Sequence, residues 1–333
     1  MATSNAQQPL GASRELGLKL FSGKVLEAFR AETPLFNAAG GGSPDIVSSQ
    51  ELVGGISGQF PIIGDDPTPE YHTPGVELLG QNVGTDEVVI TIDDILVDHY
   101  DVAYDQTELS HFPVIAPFAV KLGRALGIDL DQKAMRVGIN SARTAAVAGF
   151  HNGGHRVTES GVRTTIYPDS TTGSRLFRDN AAELAESMDN DNVPIAGRWL
   201  FITPYVRRIL RHETDVFQRD FNPTTNNTIN TRTIGMLEGF NVIYTNHIPS
   251  TVITTGPSKY QGDFTQATGA GEPLALALCG AQEGSAGIGY VTSGGMETHM
   301  EFDHRRNTTF MKAQMLVGLG VLAPWCAGSI ECI

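Results

Sequence analysis

Apolar residues recur at helical spacing over 14–30, where Leu16, Leu18, Leu20, Phe21, Val25, Leu26 and Phe29 alternate with Arg14, Lys19, Lys24 and Arg30. The pattern predicts a short, partly amphipathic helix. A longer run starts at Val114 and keeps near-helical spacing through Ile115, Phe118, Leu122, Leu126, Leu130, Met135 and Ile139 to about residue 148. Pro113 and Pro117 fit only its first turn. At 1.5 Å per residue this helix would be roughly 50 Å long, a spine on which other parts can hang. Between the two helices the period changes to that of strands. Gln59-Phe60-Pro61-Ile62-Ile63 and the β-branched run 87–92 read as the two arms of an extended hairpin. Their link, Gly64-Asp65-Asp66-Pro67-Thr68-Pro69 and on through Thr73-Pro74-Gly75, is polar and has no apolar run able to form a core. A loop of that length is functional or docked on a partner.

Past the spine, residues 174–190 carry Leu176, Phe177, Ala181, Leu184, Ala185 and Met188 on one helical stripe. Arg198-Trp199-Leu200-Phe201-Ile202 reads as a buried strand, and Thr203-Pro204 as a cap and first turn of a helix running to His212. Residues 240–244 and 274–278 are further strands around a Thr/Gly/Pro-rich loop at 250–273, and 296–322 reads as one long extended run. Gly40-Gly41-Gly42-Ser43-Pro44 marks a hinge or turn. Helices and strands interleave without βαβ regularity and without an internal repeat, so the fold class is α+β.

Charge sharpens this outline. The 333 residues hold 37 acidic and 23 basic side chains, a formal net charge of −14, which argues against gripping nucleic acid as the main task. The imbalance is local. From 31 to 120 there is no Lys or Arg but 15 acidic residues; the other 243 residues carry 22 acidic and 23 basic ones. Two readings fit: a solvated acidic face that maintains solubility, or a segment that projects and meets basic surface on a neighbouring copy. Three cysteines, Cys279, Cys326 and Cys332, make no disulfide framework and contain no CxxC pair, so a reducing site of synthesis is expected. The polar start of the chain lacks a secretory pattern and no apolar stretch approaches a membrane span, so a soluble chain that stays where it is made is expected.

The search for chemistry finds little. Gly318-Leu-Gly320-Val-Leu-Ala323 matches the spacing of a dinucleotide fingerprint, but Pro324 follows and only ten residues remain, too few for a crossover helix. No phosphate-binding GxxxxGK[ST] loop and no GxSxG elbow occurs. His151 and His155, with His299 and His304 at a distance, are the best metal-like set, yet Gly153 and Gly154 disfavour a helix that would align the pair. Asp93, Asp94, Asp98 and Asp101 crowd together but lack the glycine and closing glutamate of a calcium loop. Neither catalytic residues nor a metal or cofactor site is expected.

The order of parts is itself informative. Leu20-Phe21-Ser22-Gly23-Lys24-Val25-Leu26-Glu27-Ala28-Phe29 resembles the arm helix of the major capsid proteins of tailed bacteriophages, the Hong Kong 97-type fold, and in particular those of short-tailed podoviruses. Gln59 to Gly64, Tyr71, Pro74-Gly75-Val76-Glu77-Leu78 and Val89-Ile90-Thr91-Ile92-Asp93 are similar to that group's E-loop hairpin. Arg306-Asn307, Phe310, Lys312, Gln314 and the run to Pro324 are similar to its last P-domain strand. The resemblance implies an N-terminal arm at 1–51, an E-loop at 52–97, a P-domain at 98–165 and 285–324 with the spine helix at about 114–148, and an A-domain at 166–284 and 325–333.

It further implies a non-enzymatic structural protein. Its copies would form hexamers and pentamers of an icosahedral shell around double-stranded DNA, built in the host bacterial cytoplasm and carried in the virion capsid. Scaffolding and portal proteins are the implied partners, DNA would be touched non-specifically if at all, and no membrane is involved. Some members of the fold crosslink an E-loop lysine to a distant asparagine; without a lysine between 31 and 120 this chain would hold its shell non-covalently. Acidic loop residues Asp65, Asp66, Glu70 and Glu77 would then dock on a basic neighbour, with Arg305 and Arg306 or the cluster Arg207, Arg208 and Arg211 as candidates. The rival expectations are another virion component, of tail or decoration type, and a metal-dependent hydrolase using the histidines and the 93–101 acids.

Overall fold

The elements follow the apolar pattern. In the computed structural model, residues 10–36, 46–63, 68–75, 77, 80–81, 83–93, 95–109, 115–148, 152–195, 197–212, 233–279 and 286–333 are described. In chain order these form α1 (Leu10–Glu32), β1 (Val47–Leu52), β2 (Ser57–Ile63), β3 (Thr85–Thr91), β4 (Leu96–Ala103), α2 (Tyr104–Leu109) and α3 (Ile115–Ala142). There follow β5 (His155–Glu159), α4 (Arg163–Ile166), α5 (Thr171–Asn190), β6 (Arg198–Ile202), α6 (Pro204–Leu210), β7 (Thr233–Leu237) and β8 (Phe240–Tyr244). The chain closes with β9 (Glu272–Cys279), β10 (Ile288–Ser293), β11 (Glu297–Asp303), β12 (Thr308–Met315), β13 (Val317–Val321) and β14 (Ala327–Cys332).

A mixed six-stranded sheet, ordered β5-β14-β9-β6-β8-β7, forms the middle layer of the larger part. Both of its faces are covered, so its central strands are buried throughout. Strand alternation divides their side chains between the two faces. Leu200, Ile202, Ala275 and Ala277 pack toward the α5 and α6 side with Phe177, Leu184 and Ile209. Trp199, Phe201, Leu276 and Leu278 pack on the other side with Leu130, Met135 and Ile139 of α3. Arg198 opens the buried β6 although it is charged. Its guanidinium donates to the Asp189 carboxylate at 2.6 Å and to the Pro194 carbonyl at 3.0 Å, which closes the end of α5 onto the sheet.

A three-stranded sheet, β11-β12-β4, lies against α1 and the first half of α3, sharing a core of Phe21, Val25, Val102, Leu122, Leu126 and Met311. The two helices approach closely at Gly123, where a Cβ would overlap the Val25 carbonyl oxygen. A second three-stranded sheet, β1-β10-β13, joins these parts; β1 runs parallel to β10 with Val47 opposite Ile288. The arm returns to the spine at Asp131, which is fully buried in α3. Its carboxylate accepts the Leu35 N–H at 3.0 Å and meets His247 Nδ1 at 2.6 Å.

Two expectations are corrected. The spine helix, expected at about 114–148, ends at Ala142; its described span is Ile115–Ala142. The chain reverses after Ala142, because Gly154 donates to the Thr144 carbonyl at 2.9 Å and packs on the backbone of Ser141 and Ala142. At 28 residues the helix is about 42 Å long. The run 296–322 is not one extended segment. It folds back at 304–307, where Asn307 takes a φ of +54°, and pairs β11 with β12 from Glu297↔Gln314 to Asp303↔Thr308. The 40–44 hinge lies outside the described residues.

The far end of the spine is locked by a buried carboxylate. Glu331 of β14 has 0% relative exposure and accepts hydrogen bonds from Arg143 Nε (2.9 Å) and Nη2 (3.0 Å), Arg156 Nε (2.8 Å) and Ser329 Oγ (2.9 Å). Arg143 also donates to the Asp263 and Gly271 carbonyls, at 2.7 and 2.9 Å. One side chain thus ties together the helix end, β5, β14 and the loop before β9. A buried carboxylate is tolerated because both arginines and a hydroxyl satisfy it.

Candidate assembly surfaces

The hairpin β2–β3 is a sheet of its own, in register from Ser57↔Thr91 to Ile63↔Thr85. Only its root is buried. Ile90, 3% exposed, fits against Gly289 and Gly320, and a Cβ at Gly318 would overlap the Thr91 carbonyl oxygen. The glycine pair that mimicked a dinucleotide fingerprint therefore lets one strand cross closely over β13. Away from the root the hairpin and its loop have no cover among the described residues: Ile63 and Tyr71 are 73% and 104% exposed. More than half of the large apolar side chains exposed among the described residues lie between Val53 and Leu109. An isolated two-stranded hairpin is marginal in water, and an apolar surface of this kind marks an interaction site.

The acids of this segment differ in their partners. Near the body, Asp93 pairs with Lys259 at 2.8 Å and Glu32 with Arg124 at 3.1 Å. Along the hairpin and its loop, Glu70, Glu77, Asp86 and Glu87 are exposed and pair with no base among the described residues. Asp65 and Asp66 lie outside the described residues. Glu51 of β1 and Asp98 and Asp101 of β4, nearer the body, likewise pair with no base among the described residues.

The proposed basic counterparts occupy two places. On α6, Arg207 lies 3.9 Å over the Tyr244 ring, while Arg208 lies over Tyr205 and pairs with Asp169 at 3.2 Å. Arg211 follows the helix and is exposed. Arg305 and Arg306 sit in the β11–β12 turn, exposed, with their N–H groups on the Asp303 carboxylate. They line an open concavity of about 590 Å³ with Asp101, Glu301, Phe302 and His304. Arg305 and Arg306 thus stand exposed on a turn, whereas Arg207 and Arg208 of α6 are engaged within the subunit.

The described members of the metal-like sets do not come together. His151 lies outside the described residues, whereas His155 begins β5, with Nε2 3.1 Å from the Trp325 carbonyl. Burial holds its pKa below the ordinary histidine value, against the pull of Asp191. Asp98 and Asp101 are three apart on β4 and so point to opposite faces, while Asp93 is committed to Lys259. Among the described residues no group of three or more His, Cys, Asp or Glu is placed to hold a metal. The three cysteines are buried, and burial raises the Cys326 and Cys332 thiols to about 12, keeping them protonated and unreactive. Among the described residues no helix is long and apolar enough to cross a membrane.

Sequence reading missed the Glu331 junction and the Lys259–Tyr260 contacts at the hairpin root. A lone Glu in a C-terminal strand and a Lys in a loop carry no spacing signal. Only the apolar neighbours of Glu331, Ile330 and Cys332, hinted that it would be buried.

Comparison with known proteins bears out the fold and the kind of protein expected. The family model "Gp10A-like: Major capsid protein" matches residues 59–331. The capsid structure of cyanophage P-SCSP1u is 26% identical, with 87% of each chain covered and a TM-score of 0.72. The mature capsid of bacteriophage PhiM1 (14% identity, 86% of each chain, TM-score 0.69) and the capsid of Ralstonia phage GP4 (13%, 88% of each chain, 0.59) share the fold. No curated protein matches the sequence.

Proposed function

The chain belongs to the Gp10A-like major capsid protein family, and from that premise we propose that its copies assemble as hexamers and pentamers into an icosahedral shell. The shell encloses the double-stranded DNA of a tailed phage and is built in the host cytoplasm, with scaffolding and portal proteins as partners. The chain acts as a structural element and not as an enzyme. The observation that carries this reading is the uncovered hairpin. Its apolar side chains and its uncompensated carboxylates leave it incomplete as part of one subunit. A neighbouring copy lying under it supplies both the apolar cover and the positive charge.

Assignment of the parts follows the same reading. The arm is 1–51 and the E-loop 52–97; 98–165 with 285–324 form the P-domain, and 166–284 with 325–333 the A-domain. The E-loop docks through Asp65, Asp66, Glu70 and Glu77 on Arg305 and Arg306 of a neighbour, or on Arg207, Arg208 and Arg211. No lysine is present from 31 to 120, so an isopeptide bond from an E-loop lysine has no nucleophile here. In mature particles boiled in denaturant, this chain should therefore run as a single band near 35.7 kDa. A ladder of covalent multimers on the gel would refute the non-covalent shell.

A further inference from the structure

We propose that Asp93, Lys259 and Tyr260 form a clamp that sets the direction in which the hairpin leaves the body, which makes Lys259 and Tyr260 positioning residues for assembly. The effect on assembly rests on the shell reading above; the clamp itself does not. The two-stranded β2–β3 sheet has no third strand among the described residues, so its direction is decided where it joins the body. Three elements converge there. Asn140 of α3 donates its side-chain N–H to the carbonyls of Lys259 (3.3 Å) and Gln261 (3.2 Å), seating the short turn Ser258–Tyr260 on the spine. The Tyr260 ring is buried, and its hydroxyl accepts the Leu319 N–H of β13 at 3.3 Å while donating to the Asp93 carboxylate. Burial raises the phenol pKa, so the hydroxyl remains a donor. The Lys259 ammonium completes the contact, 2.8 Å from Asp93 Oδ1 and 3.0 Å from the Thr91 carbonyl. Asp93 itself donates its N–H to the Val317 carbonyl at 3.0 Å.

Leverage makes this contact matter. Strands of seven residues extend about 23 Å from the root at roughly 3.3 Å per residue. A rotation of about 10° at the root then moves their far end by about 4 Å, enough to separate an ion pair with a neighbour. The turn 258–260 therefore transmits the position of the spine helix to the hairpin, and one buried hydroxyl and one ammonium hold the setting.

The test is a distance measurement in the unassembled full-length chain. The native cysteines are all buried, so spin labels on Ile63→Cys at the far end of β2 and Val120→Cys on the spine, both exposed positions, report the angle between hairpin and spine. The wild-type background should give a narrow distance distribution, and Lys259→Met and Tyr260→Phe should each broaden it at least twofold. Unchanged widths in both variants would overturn the clamp. If Lys259→Met does not fold, Tyr260→Phe, which loses only one oxygen, decides the matter alone. A narrow wild-type distribution in a chain that never forms shells would overturn the shell reading and leave the clamp standing. Broadened distances with shells of unchanged yield and size would overturn the positioning role in assembly.

Discussion

Replacing Glu331 with alanine is expected to lower the unfolding free energy by about 3–5 kcal/mol, the range for removing one partner of a buried ion pair. The carboxylate is fully buried and serves two arginines at once. Without it, Arg143 remains mostly buried with its Nε unpaired, at the point where the spine helix ends and the loop before β9 is anchored. Arg156→Ala should cost less, because Arg143 would keep its two-point contact with Glu331. Urea titration of the unassembled protein checks both variants. A loss below about 1 kcal/mol for Glu331→Ala would show that the junction contributes no more than an exposed pair.

Reversing Arg305 and Arg306 together to glutamate is expected to abolish shell formation while leaving the subunit folded. Both residues are exposed in the β11–β12 turn, and their contacts among the described residues are with Asp303 at the end of β11. The fold therefore loses little. The surface changes by four charge units, at a place that already holds Asp101, Glu301 and Asp303. An acidic hairpin arriving from a neighbour would meet like charge instead of opposite charge. Each exposed pair contributes only about 0–1 kcal/mol, but a closed shell repeats the contact in every subunit, so the effects accumulate. Sedimentation should find the variant as small oligomers with the same urea midpoint as the wild type. Normal shells would remove these two arginines from the interface and leave Arg207, Arg208 and Arg211 as the docking surface.

Much of the fold was legible because burial follows period. The arm helix, the hairpin strands, the stripe of α5 and the continuous apolar run of β6 were read correctly, since each has one dominant local pattern. Errors arose where a tertiary contact overrides the local pattern. The alanines at 142–148 favour helix, yet the close packing of Gly154 on Ser141 and Ala142 accompanies a reversal of the chain there. The 296–322 run is extended on both sides of its turn, and 304–307 lacks the Asn-Gly or Asp-Gly signal that marks a tight hairpin. Of the candidate surfaces, the uncovered hairpin was legible as a missing core and a one-signed charge. The clamp was not, because Asp93 and Lys259 are 166 positions apart and only the fold brings them together.

All of this turns on whether the uncovered hairpin is completed by a second copy of the chain. Electron microscopy of the purified full-length protein, together with its sedimentation, tests that directly. The expected result is hollow particles of megadalton mass, with the β2–β3 hairpin of each subunit lying on its neighbour. Protein that remains monomeric or in small open oligomers, with the hairpin exposed to solvent, would contradict it.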